Sequence, residues 1–497
     1  MKLIIKDMDI ATGITLVAIM NRKDAALLDL HLADRIMIRK GSREIVAVVD
    51  FAETAKTIPQ GTLGLFEEVL ANLHAKSGDE VSIHPVQKPE SLLYIKKKMD
   101  GGILSYHEIK SIIDDVVNNK ITTVELTYYV AANYMKGMDF KEVVHLTRAM
   151  INSGNKLEFG NRIVVDKHCI GGVCGNRTTP IIVPILAVAG LTVPKTSSRS
   201  ITSPAGTADT LEVLCNVVLE MKDIVRVVDK TGACLVWGGA VHLAPADDSI
   251  INVEHPLSID AEGQLLASIM AKKGSVSATH VIIDIPVGYG TKVTSQKRAK
   301  HLAKEFSKLG KELGMVIDVV ITDGSEPIGN GIGPALEAID ILRVLKNDPK
   351  APKDLRNKSL AMASVLLEST GKAKKGHGWH MAEALLDSGL AFKKFIEILT
   401  EQGIRASDEK EIALGEYHFN VRANKTGFIK MMNNRALSRI ARIAGCPEDK
   451  KAGIFLFKHN GDKVINGERV FTVYSESSIK LRYAKEMVEK VSGFVIR

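Results

Sequence analysis

Hydrophobic and polar positions change their spacing several times along the chain, and each change marks a different predicted element. Near the N-terminus, residues 35–39 and 44–49 alternate or run apolar, and the polar segment 40–42 separates them. A period of two is typical of strands, and the glycine at position 41 is typical of a turn between them. Residues 1–85 are therefore predicted to form a β-rich accessory domain.

The spacing becomes helical between residues 105 and 153. Ser105 is followed three positions later by Glu108, and Thr122 by Glu125, each pair just before a run with helical periodicity. A Ser or Thr with a Glu three residues on is a capping box, in which each side chain binds the other residue's backbone N–H. We expect helices to begin at both places, within a small helical domain.

After residue 162, short apolar runs alternate with helical segments. Strands are predicted at 163–165, 281–285 and 316–321, and helices at 178–189 and 295–313. A strand, a crossover helix and a second strand indicate a parallel sheet with both faces covered, and ligands bind such sheets at the carboxyl ends of the strands. From residue 426 onwards, strands and a last helix at 478–491 form a predicted α+β lobe.

Composition is that of a globular protein with several domains, since the 497 residues are 45% hydrophobic and 25% charged. The formal net charge of +8 fits either a solvated lysine-rich surface or attraction of small anionic substrates. Only 5% of the residues are aromatic, and no stripe of basic and aromatic residues appears. We therefore expect no nucleic-acid partner.

Cysteine usage and the longest apolar run indicate where the protein works. The five cysteines are scattered, which argues against a disulfide framework and for the reducing cytoplasm. Cys169 and Cys174 have no second Cys/His pair at zinc spacing, so no metal site is predicted. The run 181–191 contains Pro184 and is shorter than the ~20 residues of a membrane span. A soluble, cytoplasmic protein without a membrane partner is expected.

Two segments with similar chemistry follow predicted strands and precede predicted helices. Residues 166–172 and 197–209 each combine glycines or small hydroxyl side chains with a cation. Backbone N–H groups at strand-to-helix turns point outward and favour an anion. Two such segments within about forty residues predict a substrate with one phosphate and a second phosphate nearby.

These segments and three others resemble the thymidine phosphorylase family of nucleoside phosphorylases. The resemblance is carried by DKHxxGGV at 166–173, SSRxIxxxAGTxDxLE at 197–212, LAPAD at 243–247, ASIxxKK at 267–273 and GDKV at 461–464. It covers about residues 90–497. The additional N-terminal domain, and SITSP at 200–204 where a glycine-histidine stretch is usual, are similar to the archaeal AMP phosphorylase branch.

The resemblance implies a small discontinuous α-helical domain that closes on a larger α/β domain with a mostly parallel central sheet. The fold class is then α/β with α+β accessory lobes. The implied domains are the β-rich domain 1–85, the helical domain 86–155 with 244–275, the α/β phosphate-binding domain 156–243 with 276–425, and the C-terminal lobe 426–497.

The AMP phosphorylase branch converts a nucleoside 5′-monophosphate and phosphate to a free base and ribose 1,5-bisphosphate. By resemblance, Lys167, Thr178, Ser197 and Thr207 bind the attacking phosphate. Lys167 could instead be a solvated loop lysine. Asp260 is the implied proton donor to the purine, which requires that burial raises its pKa. The alternative for Asp260 is a helix N-cap.

Recognition of the nucleotide is assigned to residues on both segments and on the returning helical part. The expected residues, taken from the resemblance and from departures from the pyrimidine enzymes, are His168, Gly172, Ser198, Arg199, Ser200, Ile201, Thr202, Ser203, Thr207, Ser268, Lys272 and Lys292. Lys292 stands where the pyrimidine enzymes have an apolar residue, so it is expected to hold the 5′-phosphate, although it could also be a surface lysine. His168 could equally be a hydrogen-bonding neighbour of the site.

Departures from the family favour a nucleotide over a pyrimidine nucleoside. The segment 250–254 lacks the tyrosine and arginine with which pyrimidine-nucleoside members contact the base. The expected substrates are AMP, or CMP or UMP, with inorganic phosphate as co-substrate and no cofactor, in a homodimer or larger homo-oligomer. Two alternatives stay open: a thymidine or uridine phosphorylase, and an RNA-binding protein on a phosphorylase scaffold. Phosphoribosyl transfer would need a Mg²⁺-diphosphate site, and no paired acidic motif is present for one.

Overall fold

The computed structural model describes residues 1–13, 16–200, 203–241, 243–257, 259 and 261–497. These residues divide into two compact units. The first unit contains residues 1–154 and 244–271, and the second contains residues 155–243 and 272–497.

The strands and helices are numbered here in chain order. The strands are β1 (Lys2–Asp7), β2 (Val17–Asn21), β3 (Arg35–Lys40), β4 (Arg43–Ala52), β5 (Thr62–Leu65), β6 (Glu80–Pro85), β7 (Val165–Cys169), β8 (Val193–Ser197), β9 (Ala233–Trp237), β10 (His280–Val287), β11 (Val316–Asp323), β12 (Gly331–Ile332), β13 (Tyr417–Arg422), β14 (Gly427–Met432), β15 (Gly453–Leu456), β16 (Lys463–Val464), β17 (Arg469–Ser475) and β18 (Phe494–Ile496). The helices are α1 (Arg22–Ala26), α2 (Glu67–Leu73), α3 (Ser91–Met99), α4 (Tyr106–Val117), α5 (Thr123–Lys136), α6 (Phe140–Ser153), α7 (Thr179–Val188), α8 (Thr207–Leu211), α9 (Met221–Thr231), α10 (Pro245–Leu257), α11 (Glu262–Gly274), α12 (Gln296–Glu312), α13 (Pro334–Leu345), α14 (Lys353–Ser369), α15 (Gly378–Asp387), α16 (Leu390–Gln402), α17 (Asn434–Ile443) and α18 (Ser478–Val491).

In the first unit, strands β1 to β6 close into a barrel in the order β1-β5-β2-β4-β3-β6. The predicted strands at 35–39 and 44–49 are the antiparallel pair β3 and β4, with Gly41 at a positive φ of 59° in the turn. Inward-facing apolar side chains such as Leu3, Ile36 and Ile38 fill the barrel. Closure leaves no unpaired sheet edge in this part of the chain.

The helices of the first unit pack around a second apolar core, to which α4, α5, α6, α10 and α11 contribute. Both predicted capping boxes are confirmed. Ser105 caps α4 and Thr122 caps α5, and Glu108 and Glu125 bind back to their backbone N–H groups. Because these caps satisfy N–H groups that the helix itself leaves unpaired, the local sequence fixes where each helix begins.

The second unit is built on parallel strands. β10 pairs in parallel with both β7 and β11, and β8 pairs in parallel with β9. A parallel bridge between Val164 and Thr192 places the β8–β9 pair next to β7. The chain leaves β7 towards β8 on one side and returns to β10 on the other. Ligands of open parallel sheets bind where the strand order reverses in this way.

Strand β7 differs from the sequence prediction. A strand was predicted at 163–165, followed by a loop from Asp166, but the strand runs from Val165 to Cys169. Lys167 and His168 therefore lie in a strand and not in a loop. The physical reason is the neighbour β10, whose residues 280–284 pair with 165–169, so that pairing extends across the polar residues.

Two antiparallel sheets, β12-β15-β17-β13 and β16-β14-β18, include the strands of the C-terminal lobe, and β12 and β13 come from residues before position 426. Helices α17 and α18 pack against them around a core that includes Leu437, Ile454 and Phe471. The last helix begins and ends at the predicted residues, Ser478 and Val491. Within the described ranges, no helix is long and apolar enough to cross a membrane.

Candidate functional site

The carboxyl ends of β7 and β8 bring the two polar segments together. Lys167 lies within β7, and Ser197 is the last residue of the adjacent strand β8. Thr178 immediately precedes α7, and Thr207 is the first residue of α8. These are the four residues predicted to bind phosphate. Three of them lie at a strand end or a helix start, Lys167 lies in the middle of β7, and all four belong to the same unit.

Lys167 is buried, with 4% of its surface exposed. None of the described residues accepts a hydrogen bond from its ammonium group or lies in an ion pair with it. Burial lowers the pKa of Lys167. Interactions with Cys169 and Asp284 oppose that change, and the charges of Lys358 and Lys195 add to it. A buried ammonium ion without an acceptor is costly, so this position favours an anionic ligand.

A first buried carboxylate, Asp166, pairs with two lysines. Lys273 Nζ lies 2.6 Å from Asp166 Oδ2, and Lys195 Nζ lies 3.2 Å from Oδ1. Burial by itself would raise the pKa of Asp166, but the two ammonium groups hold it below its ordinary value. Burial lowers the pKa of Lys273 to about 7, although Asp166 favours its charged form.

A second buried carboxylate, Asp284, lies on β10. Its Oδ1 accepts a hydrogen bond of 2.6 Å from Thr322 Oγ1, and its Oδ2 accepts one of 3.2 Å from Asn176 Nδ2. Lys358 Nζ lies 3.1 Å from the same Oδ2. Asp166 and Asp284 with their lysine partners, together with Lys167, contain four ammonium ions and two carboxylates. When all are ionised, positive charge is in excess. Such an excess in a buried region favours binding of an anion.

The hydroxyl groups at this edge are also buried. Ser197 Oγ has no hydrogen-bond partner among the described residues, and its residue is 8% exposed. Thr178 is fully buried, and its Oγ1 has a weak contact of 3.9 Å with Met362 Sδ. Thr207 is half-buried. Because a buried hydroxyl loses free energy when it is unpaired, Ser197 is available to a ligand oxygen.

The segment after Ser197 is held by the carboxylate of Asp209. Asp209 Oδ2 accepts hydrogen bonds of 2.7 Å from Ser200 N and 2.9 Å from Gly206 N. A Cβ on Gly206 would lie 2.5 Å from Ser198 O, so only glycine permits this close approach. Ser200 Oγ donates to Ser203 O, which closes the turn. Two predicted nucleotide-binding residues of this segment, Ile201 and Thr202, lie outside the described residues.

Arg199 makes contacts within the protein. Its guanidinium donates two hydrogen bonds of 2.7 Å to Glu212 and one of 3.2 Å to Asp209, and it lies over the Trp237 ring at 4.9 Å. These hydrogen bonds to Glu212 and Asp209 raise the pKa of Arg199. Lys450 from the C-terminal lobe adds an ion pair of 3.0 Å to Glu212. The guanidinium therefore holds the loop, whatever contact it makes with a substrate.

His168 is surrounded by cations. Burial and then the charges of Lys273, Lys195, Lys272 and Lys167 lower its pKa well below the ordinary value. The imidazole is therefore neutral at neutral pH, and it can offer one hydrogen-bond donor and one acceptor.

Gly172 brings the first segment against the turn that carries Lys292. Gly172 has a φ of +92°, and a Cβ at this position would lie 2.7 Å from Lys292 N and from Thr291 Cα. Lys292 is exposed. The structure thus places two of the predicted nucleotide-binding residues next to each other.

The remaining predicted residues belong to the returning helical part. Asp260 lies outside the described residues. Ser268 and Lys272 lie on α11, and both are half-buried. Across the described ranges, no group of three or more His, Cys, Asp or Glu side chains could hold a metal ion.

Comparison with known proteins places the chain in a family. Three family models match it: a glycosyl transferase family helical bundle domain at residues 93–154, a glycosyl transferase family a/b domain at 161–392, and a pyrimidine nucleoside phosphorylase C-terminal domain at 428–494. An AMP phosphorylase from Methanococcus aeolicus is 43% identical over 484 residues, which are 96% of this chain and 95% of the relative. The chain belongs to the AMP phosphorylase family.

Two further comparisons for this AMP phosphorylase family member concern a sequence relative and a solved structure with a similar fold. A putative thymidine phosphorylase from Legionella pneumophila strain Paris is 45% identical over 462 residues, 93% of this chain and 88% of the relative. A crystal structure of anthranilate phosphoribosyltransferase from Thermus thermophilus is 18% identical, with a TM-score of 0.52, and covers 62% of this chain and 98% of its own. The predicted family is confirmed, and so is the combination of a helical bundle with an α/β domain.

Sequence reasoning missed several charged residues of this AMP phosphorylase family site. Lys195, Lys273, Lys358 and Asp284 were not predicted as site residues. A signal existed for two of them: Asp284 interrupts the apolar run 281–285, and Lys195 follows the buried residues 191–194. A charge inside a buried strand is rare unless it is paired. Lys358 lies on an amphipathic helix, where the sequence shows nothing unusual.

The five cysteines are all free thiols. Cys174, Cys215, Cys234 and Cys446 are buried, and Cys169 is half-buried within β7. Burial raises the pKa of Cys169 to about 11 and those of Cys174 and Cys215 to about 12. Because the thiolate is the reactive form, these side chains act as small apolar residues and not as nucleophiles.

Proposed function

We propose that this protein is an AMP phosphorylase, which converts AMP and inorganic phosphate to adenine and ribose 1,5-bisphosphate, with CMP and UMP as further possible substrates. The observation that carries this proposal is the buried residue Lys167, whose ammonium group has no acceptor in the described chain, together with the unpaired hydroxyl of Ser197 at the end of the adjacent strand β8. Several AMP phosphorylases from Methanococcus species are 42–43% identical to it over at least 95% of this chain.

The attacking phosphate binds to Lys167, Ser197, Thr178 and Thr207. Lys167 supplies the charge, and the hydroxyl groups orient the oxygen atoms. A phosphate oxygen attacks C1′ of the ribose, the N-glycosidic bond breaks, and its electron pair goes to the base. Fixed positions for phosphate and nucleotide supply much of the rate acceleration, because the reaction then needs no further ordering.

Asp260 donates the proton that the departing base requires. A protonated carboxyl group near neutral pH requires a raised pKa, which burial in the closed site would provide. His168 is unsuited to this role because its lowered pKa keeps the imidazole neutral, without the second, acidic proton of an imidazolium ion. It instead offers a hydrogen bond to the nucleotide.

The nucleotide binds along the second segment and the returning helical part. The sugar and its phosphate contact Ser198, Ser200, Ile201, Thr202, Ser203 and Thr207. The rest of the binding site is formed by Gly172, Arg199, Ser268 and Lys272. Lys292 holds the 5′-phosphate. The contact between Gly172 and the backbone of Lys292 supports this arrangement, because it joins the Lys167 segment to the predicted 5′-phosphate site.

The test is incubation of the protein with phosphate and each of AMP, CMP, UMP, adenosine and thymidine, followed by measurement of the free base. We expect turnover of AMP and little turnover of adenosine. Two observations favour a second candidate, a pyrimidine-nucleoside phosphorylase: the Legionella relatives named putative thymidine phosphorylases, and the matching C-terminal domain model. Rapid release of thymine from thymidine, with none of adenine from AMP, would establish that candidate.

The proposal extends to the organisation of the protein. It has a β-rich domain at 1–85, a discontinuous helical domain at 86–155 and 244–275, an α/β domain at 156–243 and 276–425, and a C-terminal lobe at 426–497. It works without a cofactor, in the cytoplasm, as a homodimer or larger homo-oligomer. Exposed apolar residues on α5, Val124, Tyr128 and Met135, support association. Light scattering after size-exclusion chromatography would test it.

A further inference from the structure

Lys358 is a charged residue in a place where charge is unusual. It lies on α14, 10% of its side chain is exposed, and its ammonium group is inaccessible to solvent. Its ion-pair partner is Asp284, at 3.1 Å between Nζ and Oδ2. The motifs that relate the chain to its family do not include Lys358, and the proposed mechanism has not used it.

Asp284 and Lys167 lie on the same face of the paired strands. Cys169 is the register partner of Asp284 across β7 and β10. Residues two apart in a strand point to the same side, so Lys167, Cys169 and Asp284 share one face. Asn176 Nδ2 joins this group by hydrogen bonds of 3.2 Å to Cys169 Sγ and 3.2 Å to Asp284 Oδ2.

Asp284 is consequently the carboxylate that could pair with Lys167. Burial disfavours the charge of Asp284, and the charges of Lys358 and Lys167 hold its pKa below its ordinary value. Of these two cations, only Lys358 is within ion-pair distance. A buried carboxylate that loses its partner is strongly destabilised, so without Lys358 it would draw Lys167 towards itself. The charge needed for phosphate would then be neutralised inside the protein.

We propose that Lys358 is a positioning residue for phosphorolysis: by pairing with Asp284, it leaves the ammonium group of Lys167 for the attacking phosphate. The inference rests on the proposed function, because it gives Lys167 the phosphate as its ligand. It adds to that function a second lysine, which acts through Asp284 and does not touch the substrate.

The experiment measures binding of inorganic phosphate by calorimetry to the full chain, together with the KM values for phosphate and AMP. Lys358→Met should lower the affinity for phosphate at least about tenfold and raise the KM for phosphate by a similar factor. The KM for AMP should change little. The double variant Lys358→Met with Asp284→Asn should return phosphate binding to within about threefold of the wild type, because the competing carboxylate is gone.

The matched control is Lys353→Met, which removes an exposed lysine from the same helix and should bind phosphate as the wild type does. Should Lys358→Met fail to fold, Asp284→Asn alone decides: phosphate binding equal to or tighter than that of the wild type supports the inference, and tenfold weaker binding overturns it. Unchanged binding in Lys358→Met overturns it, as does a double variant no better than Lys358→Met. A wild-type protein that binds no phosphate would instead contradict the proposed function itself.

Discussion

An ammonium ion loses its hydration when it is buried, so a protein keeps a lysine inside only with a partner or for a ligand. Lys195 and Lys273 have a partner in Asp166, and Lys358 has one in Asp284. Lys167 has none in the described chain, although it is 4% exposed. Because the other three lysines each have a carboxylate partner and Lys167 has none, Lys167 is the residue to which we assign the anion.

The lowered pKa of Lys167 predicts how phosphate binding depends on pH. The ammonium form binds phosphate, and its pKa lies below the ordinary value of 10.5. Above about pH 8, where phosphate is already a dianion, affinity should therefore fall as pH rises through that lowered pKa, before an ordinary lysine would lose its proton. Calorimetric titration with phosphate between about pH 8 and 10 checks this, because most lysines stay charged there.

Lys167→Arg is the control for this titration. Its guanidinium keeps its charge at all these pH values, so the variant should bind phosphate less well at neutral pH but show no such decline. A wild-type affinity that stays constant up to pH 10 would contradict the prediction.

A second prediction concerns the proton donor. Asp260→Asn removes the acid but keeps the size of the side chain, so kcat for AMP should fall at least about 100-fold, the usual contribution of general acid catalysis. The Kd for AMP should change little. Measurement of adenine release, with binding followed separately, distinguishes the two effects. Full turnover by the variant would remove the acid role and leave the helix-cap interpretation.

A third prediction separates nucleotide from nucleoside recognition. Lys292→Ala removes the proposed partner of the 5′-phosphate, so kcat/KM for AMP should fall at least about tenfold, as expected for loss of a charged hydrogen bond. The residual activity on adenosine, which has no 5′-phosphate, should stay as it is. Steady-state kinetics with both substrates provides the test, and equal losses would rule out this role.

At the scale of elements, β7 is the strand on which the site depends. Asp166 and His168 point to one face and Lys167 and Cys169 to the other, so each face has its own carboxylate group, Asp166 or Asp284. The sequence predicted a loop here because charged residues are rare in buried strands. The charged strand is stabilised by its register with β10 and by Lys195 and Lys273, the distant partners of Asp166, and none of these is adjacent to it in sequence.

Helix starts were predictable for the opposite reason. The capping boxes at Ser105 and Thr122 involve residues three apart, so the information is local. The resemblance to the family supplied the four phosphate residues as candidates. The geometry that leaves Lys167 and Ser197 unpaired depends on packing, which no local pattern contains.

A fourth prediction tests the contact between the Gly172 segment and the Lys292 turn. Gly171 and Gly172 both have positive φ, but a Cβ on Gly171 would meet nothing within 4 Å, whereas one on Gly172 would lie 2.7 Å from backbone atoms. Both alanine variants carry backbone strain of about 1–3 kcal/mol. Gly172→Ala should lose additional unfolding free energy and weaken AMP binding, and Gly171→Ala is its matched control. Urea denaturation compares them; equal losses would contradict a close contact.

At the scale of the whole molecule, the chain passes between its two units at residues 154–155, 243–244 and 271–272. The return of 244–271 to the first unit was expected from the family resemblance and not from periodicity, which carries no information on which helices pack together. In contrast, the β-rich character of residues 1–85 and the mixed strands and helix of the C-terminal lobe were predictable from the spacing of apolar residues alone.

A fifth prediction follows from the excess positive charge of the buried groups around Asp166 and Asp284. A ligand that binds only the folded protein stabilises it, by about 2.7 kcal/mol at 100 times its Kd. Inorganic phosphate should therefore raise the melting temperature, and sodium chloride at equal ionic strength should do so much less. Lys167→Met should lose the phosphate effect and keep the chloride response. Differential scanning fluorimetry measures both, and an equal shift in wild type and variant would contradict the assignment.

The cysteines have a consequence for experiments on motion. All five are free, four are buried, and burial raises the pKa of Cys169, Cys174 and Cys215 to about 11 or 12, so few thiolates exist at neutral pH. The natural cysteines are therefore expected to react slowly with maleimides. One cysteine introduced on the surface of each unit would carry a fluorophore pair without removal of any natural cysteine. The distance between the units could then be followed during turnover in the otherwise unaltered protein.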